Sequence, residues 1–361
     1  MDNRVAILIP FYKENLTGME RLSLRRTNNI LKDYSIFFIA PEGLNISEGK
    51  RIIADAKECR MDSAFFDGFS GYNRLMLSKE LYERFIDFEY VLICQQDVFV
   101  IEDRLKEYLD LPYDYIGSPI PHMGPWSPEL YVGNGGFSLR RVKAVLNLLE
   151  THGDDLDALN DNEDIFYSAA GEKYPEDFRT ASVTDGLGFA FNMYYKTQFE
   201  MNGNRLPMAI HGIGSGDGAF LNKHLTPYLE VGERIENDCN WEEEIGEFQS
   251  FVRRAEVLVL YGAGDAGAIF TELCKRMGCN VDCFLVSDGQ IIPEKTPFDI
   301  PAFNVSSYPK DISKASVLIT ISSRYKRLPD FEKIMRDHGA KNVMQMSNEL
   351  FHAGINELIK K

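Results

Sequence analysis

What most limits the folds open to this chain is the alternation of two patterns. Short, nearly continuous apolar runs, "RVAILI" (4–9), "YSIFFIA" (34–40) and "YVLIC" (90–94), alternate with stretches whose apolar residues recur at helical spacing. Such runs suit strands buried on both faces, which occur where helices cover a parallel sheet. Between the first two runs, 16–32 carries Met19, Leu22, Ile30 and Leu31 on a polar background. Between the second and third, Leu77, Leu81 and Phe85 share one face of a helix expected over 73–88. Strand and helix in strict alternation predict an α/β fold with right-handed crossovers.

The pattern is then interrupted and restarts. The segment 113–141, "YDYIGSPIPHMGPWSPELYVGNGGFSLRR", is rich in Pro and Gly and reads as an irregular loop, followed by a helix over 140–150. An acidic stretch with Glu236, Asp238, Glu242, Glu243, Glu244 and Glu247 precedes a new strand, "EVLVLY", a glycine turn, a helix and the strand "VDCFLVSD". The expected organisation is a first domain over 1–231, an acidic helical linker over 232–254 and a small Rossmann-like βαβ domain over 255–361. At 361 residues the chain is long enough for two domains.

The formal net charge of −16 argues against sequence-independent binding of nucleic acid, which needs basic faces. It leaves room for a phosphate ligand in a local pocket. No run of 18 apolar residues is present, so at most peripheral membrane association is expected. Six cysteines without CxxC spacing, and an N-terminus without an apolar signal core, suit reduced thiols in a cytoplasm, with the inner membrane face as a possible station.

Four features invite a functional reading, and each has a plainer one. Gln95, Gln96 and Asp97 close a buried strand, where open α/β sheets bind ligands; Asp97 could equally cap a turn. Gly133-Asn134-Gly135-Gly136 permits a close backbone approach, or simply a special turn. Asn162-Glu163-Asp164 opens an apolar segment as a carboxylate pair, or as a helix cap. His211 stands between an apolar run and glycines, as a ligand or as an ordinary core histidine.

Taken in order, these residues resemble the landmarks of the GT-A glycosyltransferases, and more narrowly a bacterial branch with Q-x-D and "VGNGGFSLR". The resemblance covers residues 4–215. It implies a Rossmann-like, mostly parallel sheet and transfer of a sugar from a nucleotide-sugar donor, a UDP-sugar first among them, to a surface-glycan or lipid-linked acceptor. It implies Asp97 and His211 as ligands of Mn²⁺ or Mg²⁺, Asp164 as general base of an inverting displacement, and Glu163 as a group that orients either the acceptor or that base. The first acid of the family's D-x-D is Gln95 here, which brings no charge and suits a ribose contact better than a metal. Donor contacts would come from Pro10, Tyr12, Glu14, Arg74, Gln95, Gln96, Asp97, Gly135 and Gly136, and acceptor contacts from Trp126, Tyr131 and Asn134. Tyr12 stacks on a base or belongs to the core; Arg25, Arg26 and Arg74 meet phosphate or line a helix surface; Trp126 receives the acceptor or anchors its own loop.

The second domain carries G-x-G-x-x-G at Gly262, Gly264 and Gly267, between a strand and a helix, with Asp288 downstream. That pattern places a pyrophosphate at the helix start and a ribose on Asp288, or only allows tight helix–strand packing. The domain is similar to small Rossmann-like modules appended to bacterial polysaccharide enzymes, as a nucleotide-binding or docking unit. Two other functions remain open at this point: an NAD(P)-dependent nucleotide-sugar oxidoreductase working through this domain, and a non-catalytic nucleotide-sugar-binding protein.

Overall fold

A computed structural model describes residues 4–123, 128–155, 162–321 and 330–359. By contacts the chain divides into two units: 1–120 with 130–238, and 121–129 with 239–361.

The first unit opens with strands β1 (Val5–Pro10), β2 (Ser35–Pro41), β3 (Lys57–Met61) and β4 (Tyr90–Cys94). A short strand β5 (Val98–Val100) follows, then β6 (Tyr115–Met123) and β7 (Pro128–Arg141), of which 115–120 and 130–141 belong to this unit, and β8 (Ala190–Asn192) and β9 (Ala209–His211). The main sheet has the order β3-β2-β1-β4-β7-β6, and β5-β9-β8 form a small second sheet. β1 pairs in parallel with both β2 and β4, and β7 runs antiparallel to β4 with Leu92 opposite Leu139. Every residue of β1 and β4 is buried, as their unbroken apolar runs require. From β1 the chain builds outward to β2 and β3, then returns to place β4 on the other side. The ends of β1 and β4 therefore flank the point where the winding reverses, which is where open α/β sheets form a crevice.

Local chemistry fixes the helices beside that crevice. Helix Gly18–Leu31 starts with a capping box: Thr17 Oγ1 accepts from the Glu20 amide at 3.2 Å, and Glu20 Oε2 accepts from the Thr17 amide at 2.7 Å. The helix expected over 73–88 is two helices, Gly68–Met76 and Lys79–Glu83. Ser78 divides them, donating to the Leu75 carbonyl at 3.0 Å and capping the Leu81 amide at 3.3 Å. Pattern counting cannot see such a break, because the apolar face continues across it.

Within the glycine- and proline-rich stretch 113–141, read above as a loop, the described residues Tyr115–Met123 and Pro128–Arg141 form the two long strands β6 and β7. Its glycines lie where neighbouring backbone comes close: a Cβ on Gly117 would overlap the Asn134 carbonyl, and one on Gly133 the Ser118 carbonyl.

The second unit has strands β10 (Leu258–Tyr261), β11 (Cys283–Val286), β12 (Ala302–Asn304), β13 (Ser316–Ile319) and β14 (Asn342–Gln345). All are parallel, in the order β12-β11-β10-β13-β14. Counted from β10 this is 3-2-1-4-5, the Rossmann-like winding. The acidic stretch becomes helix Trp241–Arg253, with Asn240 capping the Glu242 and Glu243 amides and three glutamates in the first turn, where the helix dipole favours them. Its buried face packs on helix Asn348–Ile359, with the Trp241 ring 6.2 Å from His352. No helix among the described residues is long and apolar enough to cross a membrane, and all six cysteines are free.

Candidate functional site

A pocket of about 610 Å³ opens at the winding reversal of the first unit. Pro10 and Tyr12 reach it from the end of β1, and Gln95, Gln96 and Asp97 from the end of β4. Asn134 and Gly136 come from β7, Glu163 and Asp164 from the start of helix Glu163–Lys173, and His211 from β9.

The small sheet delivers His211. Val98 of β5 lies opposite His211 of β9, so Asp97, one residue earlier, arrives beside the imidazole. His211 Nε2 lies 3.1 Å from Asp97 Oδ1 and 2.9 Å from Gln95 Oε1, while Nδ1 is buried with no hydrogen-bond partner among the described residues. Burial pushes the Asp97 carboxyl up, but the His211 imidazole and its hydrogen bond outweigh that and hold it below the usual range. Gly136 makes the arrangement sterically possible. A Cβ there would overlap His211 Nε2 and sit 2.7 Å from Gln95 Oε1. Its carbonyl accepts from the Gln95 amide at 2.9 Å, tying β7 to the end of β4.

The carboxylate pair is built differently. Asn162 caps helix Glu163–Lys173, its Oδ1 accepting from the Asp164 and Ile165 amides at 3.1 and 3.3 Å. Glu163 also lines the pocket but is only 3% exposed, and its Oε2 lies 2.8 Å from Nη2 of Arg140, a residue with no exposure at all. Arg140 also donates to Tyr82 Oη at 2.9 Å and Ser138 Oγ at 3.0 Å, and lies over the Tyr167 ring at 4.8 Å. Burial works against that guanidinium, yet Glu163 and the surrounding tyrosines more than compensate, and its pKa is raised. Asp164 faces the pocket. Its Oδ1 accepts from the Gly135 amide at 2.5 Å and its Oδ2 from Asn134 Nδ2 at 3.3 Å. Burial first, and then the charge of Glu163, hold the Asp164 carboxyl well above the ordinary aspartate range. A carboxylate so placed is a better proton acceptor near neutrality than an ordinary one.

The buried ion pair has a consequence for stability. Taking away one partner leaves the other charged and unpaired in the core. Arg140→Met is therefore expected to destabilise the first unit by about 3–5 kcal/mol. A lowered denaturant midpoint in urea unfolding followed by circular dichroism checks this, and an unchanged midpoint contradicts it.

The opposite wall was not legible in the sequence. Phe65 and Phe66, from the turn Ser63–Phe66, and Phe69, Tyr72 and Asn73, from helix Gly68–Met76, line the pocket together with Glu20. Tyr12 and Phe69 are 57% and 72% exposed on its rim, large aromatic faces available to a ring-shaped ligand. Arg140 was missed too. Its only sequence signal is the alternation along β7, where Ser138 and Arg140 fall on the face opposite Phe137 and Leu139.

Other expected residues lie elsewhere. Arg74 does not reach the pocket; its guanidinium folds back to Ser70 Oγ at 3.0 Å and the Ala64 carbonyl at 2.8 Å. Arg25 pairs with Glu233, and Arg26 donates to the carbonyls of Val100, Ile101 and Tyr228. Glu14 is exposed and not part of the lining. Gly135 contributes through its amide, and a Cβ there would overlap Glu163. Tyr131 is half-buried on β7, its hydroxyl pushed up to about 12 by burial and then by Asp164. Trp126 lies outside the described residues.

In the second unit Gly262, Gly264 and Gly267 make the turn from β10 into helix Asp265–Arg276. Gly262 has φ +113°, and a Cβ on Gly267 would overlap its carbonyl, so the third glycine serves close helix–strand packing. Around Gly264 there is open space. Asp288 follows β11, but Ser306 holds both its oxygens: Oδ1 accepts from the Ser306 amide at 2.9 Å and Oδ2 from Ser306 Oγ at 2.5 Å.

Residues 56–211 match the family described as "Protein of unknown function (DUF5672)". No curated protein matches the sequence. Among solved structures, the chain is similar to the galactosyltransferase LgtC in complex with donor and acceptor sugar analogues, at 14% identity over 57% of this chain and 86% of that one, with a TM-score of 0.41. It is similar to the apo form of the glycosyltransferase GlyE of Streptococcus pneumoniae TIGR4, at 10% identity over 94% and 95%, with a TM-score of 0.37. A third is core-mannan synthase A of Aspergillus fumigatus in its Mn/GDP form, at 9% identity over 46% and 69%, with a TM-score of 0.36. Likeness at this level is one of general topology.

Proposed function

We propose that this protein is a glycosyltransferase whose first unit moves a sugar from a nucleoside diphosphate donor to an acceptor hydroxyl. The observation that carries the reading is the meeting, in one pocket at the winding reversal, of an Asp97–His211–Gln95 cluster and a separate carboxylate with a raised pKa, Asp164.

The charge of the lining bears on what else is needed. Glu20, Asp97, Glu163 and Asp164 contribute to it, and no lysine or arginine is among the described lining residues. A diphosphate would meet net negative charge here unless a cation came with it. Asp97 and His211 offer one carboxylate oxygen and one imidazole nitrogen side by side, donors that Mn²⁺ and Mg²⁺ accept. Among the described residues no cluster of three or more His, Cys, Asp or Glu side chains could hold a metal alone. That suits an ion whose remaining positions are filled by substrate phosphate and water. The residues present fit such an ion, with Asp97 and His211 holding it and Gln95 beside them. When bound, it would supply the positive charge that stabilises the departing diphosphate.

The chain's own residues do the rest. Asp164, oriented by the Gly135 amide and Asn134, takes the proton of the acceptor hydroxyl as that oxygen bonds to the anomeric carbon. The bond from that carbon to the diphosphate breaks, and its electron pair leaves with the nucleotide. Attack from the side opposite the leaving group inverts the anomeric centre. The aromatic rim of Tyr12 and Phe69 offers faces for a base or a sugar ring. UDP-sugars are the first donors to test, with a glycan or lipid-linked acceptor. The oxidoreductase reading is not favoured, because Asp288, its ribose partner, is engaged by Ser306. The second unit would then serve nucleotide sensing or docking.

A ligand screen tests the reading. UDP, GDP, UDP-glucose, UDP-galactose, UDP-N-acetylglucosamine and GDP-mannose are each added with and without Mn²⁺, and the melting temperature is followed. A rise with at least one nucleotide, larger when Mn²⁺ is present, is expected. No rise with any of them, beside a rise with NAD, would count for the oxidoreductase.

A further inference from the structure

Two residues before the acid Asp97 stands an amide, Gln95, for which a ribose contact is expected above. The structure turns that side chain elsewhere. Gln95 and Asp97 are partly exposed in the pocket lining, with the buried Gln96 between them. Gln95 Oε1 lies 2.9 Å from His211 Nε2, and Asp97 Oδ1 lies 3.1 Å from the same nitrogen. Two oxygen acceptors thus converge on one ring nitrogen, which carries at most one proton and can direct it well to one of them. Three such atoms drawn together call for a positive charge among them. The spacings suit one, because neighbouring corners of an octahedron with bonds of about 2.1 Å are about 3.0 Å apart. We propose that the Gln95 side-chain oxygen is a third protein ligand, with Asp97 and His211, for the divalent cation of this pocket, and that its neutrality makes cation binding depend on the nucleotide. The proposal rests on the reading of Asp97 and His211 as cation ligands.

The chain fixes the Gln95 oxygen in this place. The Gln95 backbone amide donates to the Gly136 carbonyl at 2.9 Å, and the Gly136 amide donates in turn to Asn134 Oδ1 at 2.9 Å. Gly136 also leaves the room that the three atoms need. A Cβ there would overlap His211 Nε2 and lie 2.7 Å from Gln95 Oε1. On the far side, Val98 of β5 is paired with His211 of β9, which sets the imidazole beside Asp97. Three strands and one glycine therefore bring the amide, the carboxylate and the imidazole together before any ligand arrives.

Charge decides the second half of the proposal. Four carboxylates line the pocket. Glu20 is paired with Lys13 at 2.8 Å and Glu163 with Arg140 at 2.8 Å, while Asp164 is held by the Gly135 amide and Asn134. Asp97 is the carboxylate turned to His211 Nε2. A divalent ion held by one carboxylate, one amide oxygen and one neutral imidazole keeps a surplus of positive charge, and affinity for such ions follows the charge of the ligands. The phosphates of a nucleotide make up the difference. Ion and nucleotide then strengthen each other's binding by the same factor, as linkage requires. An acid at position 95 would remove most of that dependence.

The test uses the full chain as wild type, Gln95→Leu and Gln95→Glu, and needs no turnover. Mn²⁺ binding is measured from the electron paramagnetic resonance signal of the free ion, alone and with saturating UDP or GDP, whichever binds. Binding of Mn²⁺ by the nucleotide in solution is measured without protein and subtracted. Wild type is expected to hold Mn²⁺ weakly alone and about 5- to 150-fold more tightly with the nucleotide. Gln95→Leu, which keeps the bulk and loses the oxygen, is expected to weaken Mn²⁺ binding by roughly tenfold or more in both conditions, with a circular dichroism spectrum like wild type. Gln95→Glu is expected to tighten nucleotide-free binding by roughly tenfold or more and to gain less from the nucleotide. If Gln95→Leu does not fold, Gln95→Glu, which keeps the size and shape of the side chain, decides. Equal Mn²⁺ affinity in wild type and a folded Gln95→Leu would overturn the proposal. So would nucleotide-free binding that is no tighter in Gln95→Glu, or a wild type that holds Mn²⁺ equally with and without nucleotide. Failure of the glycosyltransferase reading looks different: Mn²⁺ and nucleotide bind together as expected, and no nucleotide is released from any nucleotide sugar. The ligand assignment would then stand and sugar transfer would not.

Discussion

Replacing Asp164 by asparagine is expected to lower kcat by roughly 10²- to 10⁴-fold, the range for losing a positioned general base, while nucleotide binding changes little. The side chain keeps its size and an acceptor for the Gly135 amide, so the pocket keeps its shape. What is lost is the ability to take a proton. The wild-type rate should rise with pH through the Asp164 pKa, which lies above the ordinary aspartate range because of burial and then Glu163. Stability should run the other way. Folding raises this pKa, so the folded state holds the proton more tightly than the unfolded one. The contribution is full below the unfolded value of about 3.9 and is lost as pH rises through the folded value. Asp164→Asn removes that loss. The variant should be as stable as wild type or more so at neutral pH, and much less active. Steady-state rates and urea unfolding at several pH values check both halves; an active variant, or one that fails to fold, contradicts the assignment.

Asp97→Ala is expected to reduce turnover by roughly 10³-fold or more and to abolish any dependence on added Mn²⁺, since a diphosphate in this acidic pocket has no other source of compensating charge among the described residues. His211 would keep Gln95 as its neighbour at 2.9 Å, so the local fold should survive. Calorimetric titration of UDP in the presence of Mn²⁺ separates the effects. Wild type should bind more tightly with the ion than without it, and the variant equally weakly in both. Full wild-type activity in excess EDTA would point to a cation-free site and would return Asp97 to the role of a strand-end cap.

The strands were legible because burial on both faces leaves little freedom of composition. "VAILIP" and "YVLIC" form β1 and β4 as their apolar runs require, and the crevice between their ends follows from the order of crossovers. Asp97, Asp164 and His211, far apart in sequence, do share one pocket. What the sequence hid is tertiary. Ser78 breaks an apolar face that continues in sequence, and β6 and β7 use glycines for close strand contact where composition suggests a loop. Arg140 looks like a surface charge beside Arg141, yet one is wholly buried and the other pairs with Glu89 and Asp114. Which neighbour along a strand faces inward depends on register, and register is set by the partner strand. Arg74 shows the converse: a helix-borne arginine near a pocket is spent on Ser70 of its own helix and on the Ala64 carbonyl of the preceding turn.

We propose that this pocket breaks the glycosyl–phosphate bond of a nucleotide sugar with Asp164 as the base. The most direct test is the release of UDP or GDP from the donor that binds, with Mn²⁺ present, by wild type and by Asp164→Asn at matched donor occupancy. Steady release by wild type is expected, faster with an acceptor sugar present, and a rate lower by about 10²-fold or more in the variant at unchanged donor affinity. Equal rates from the two proteins, or saturating donor binding with no release from either, would contradict it.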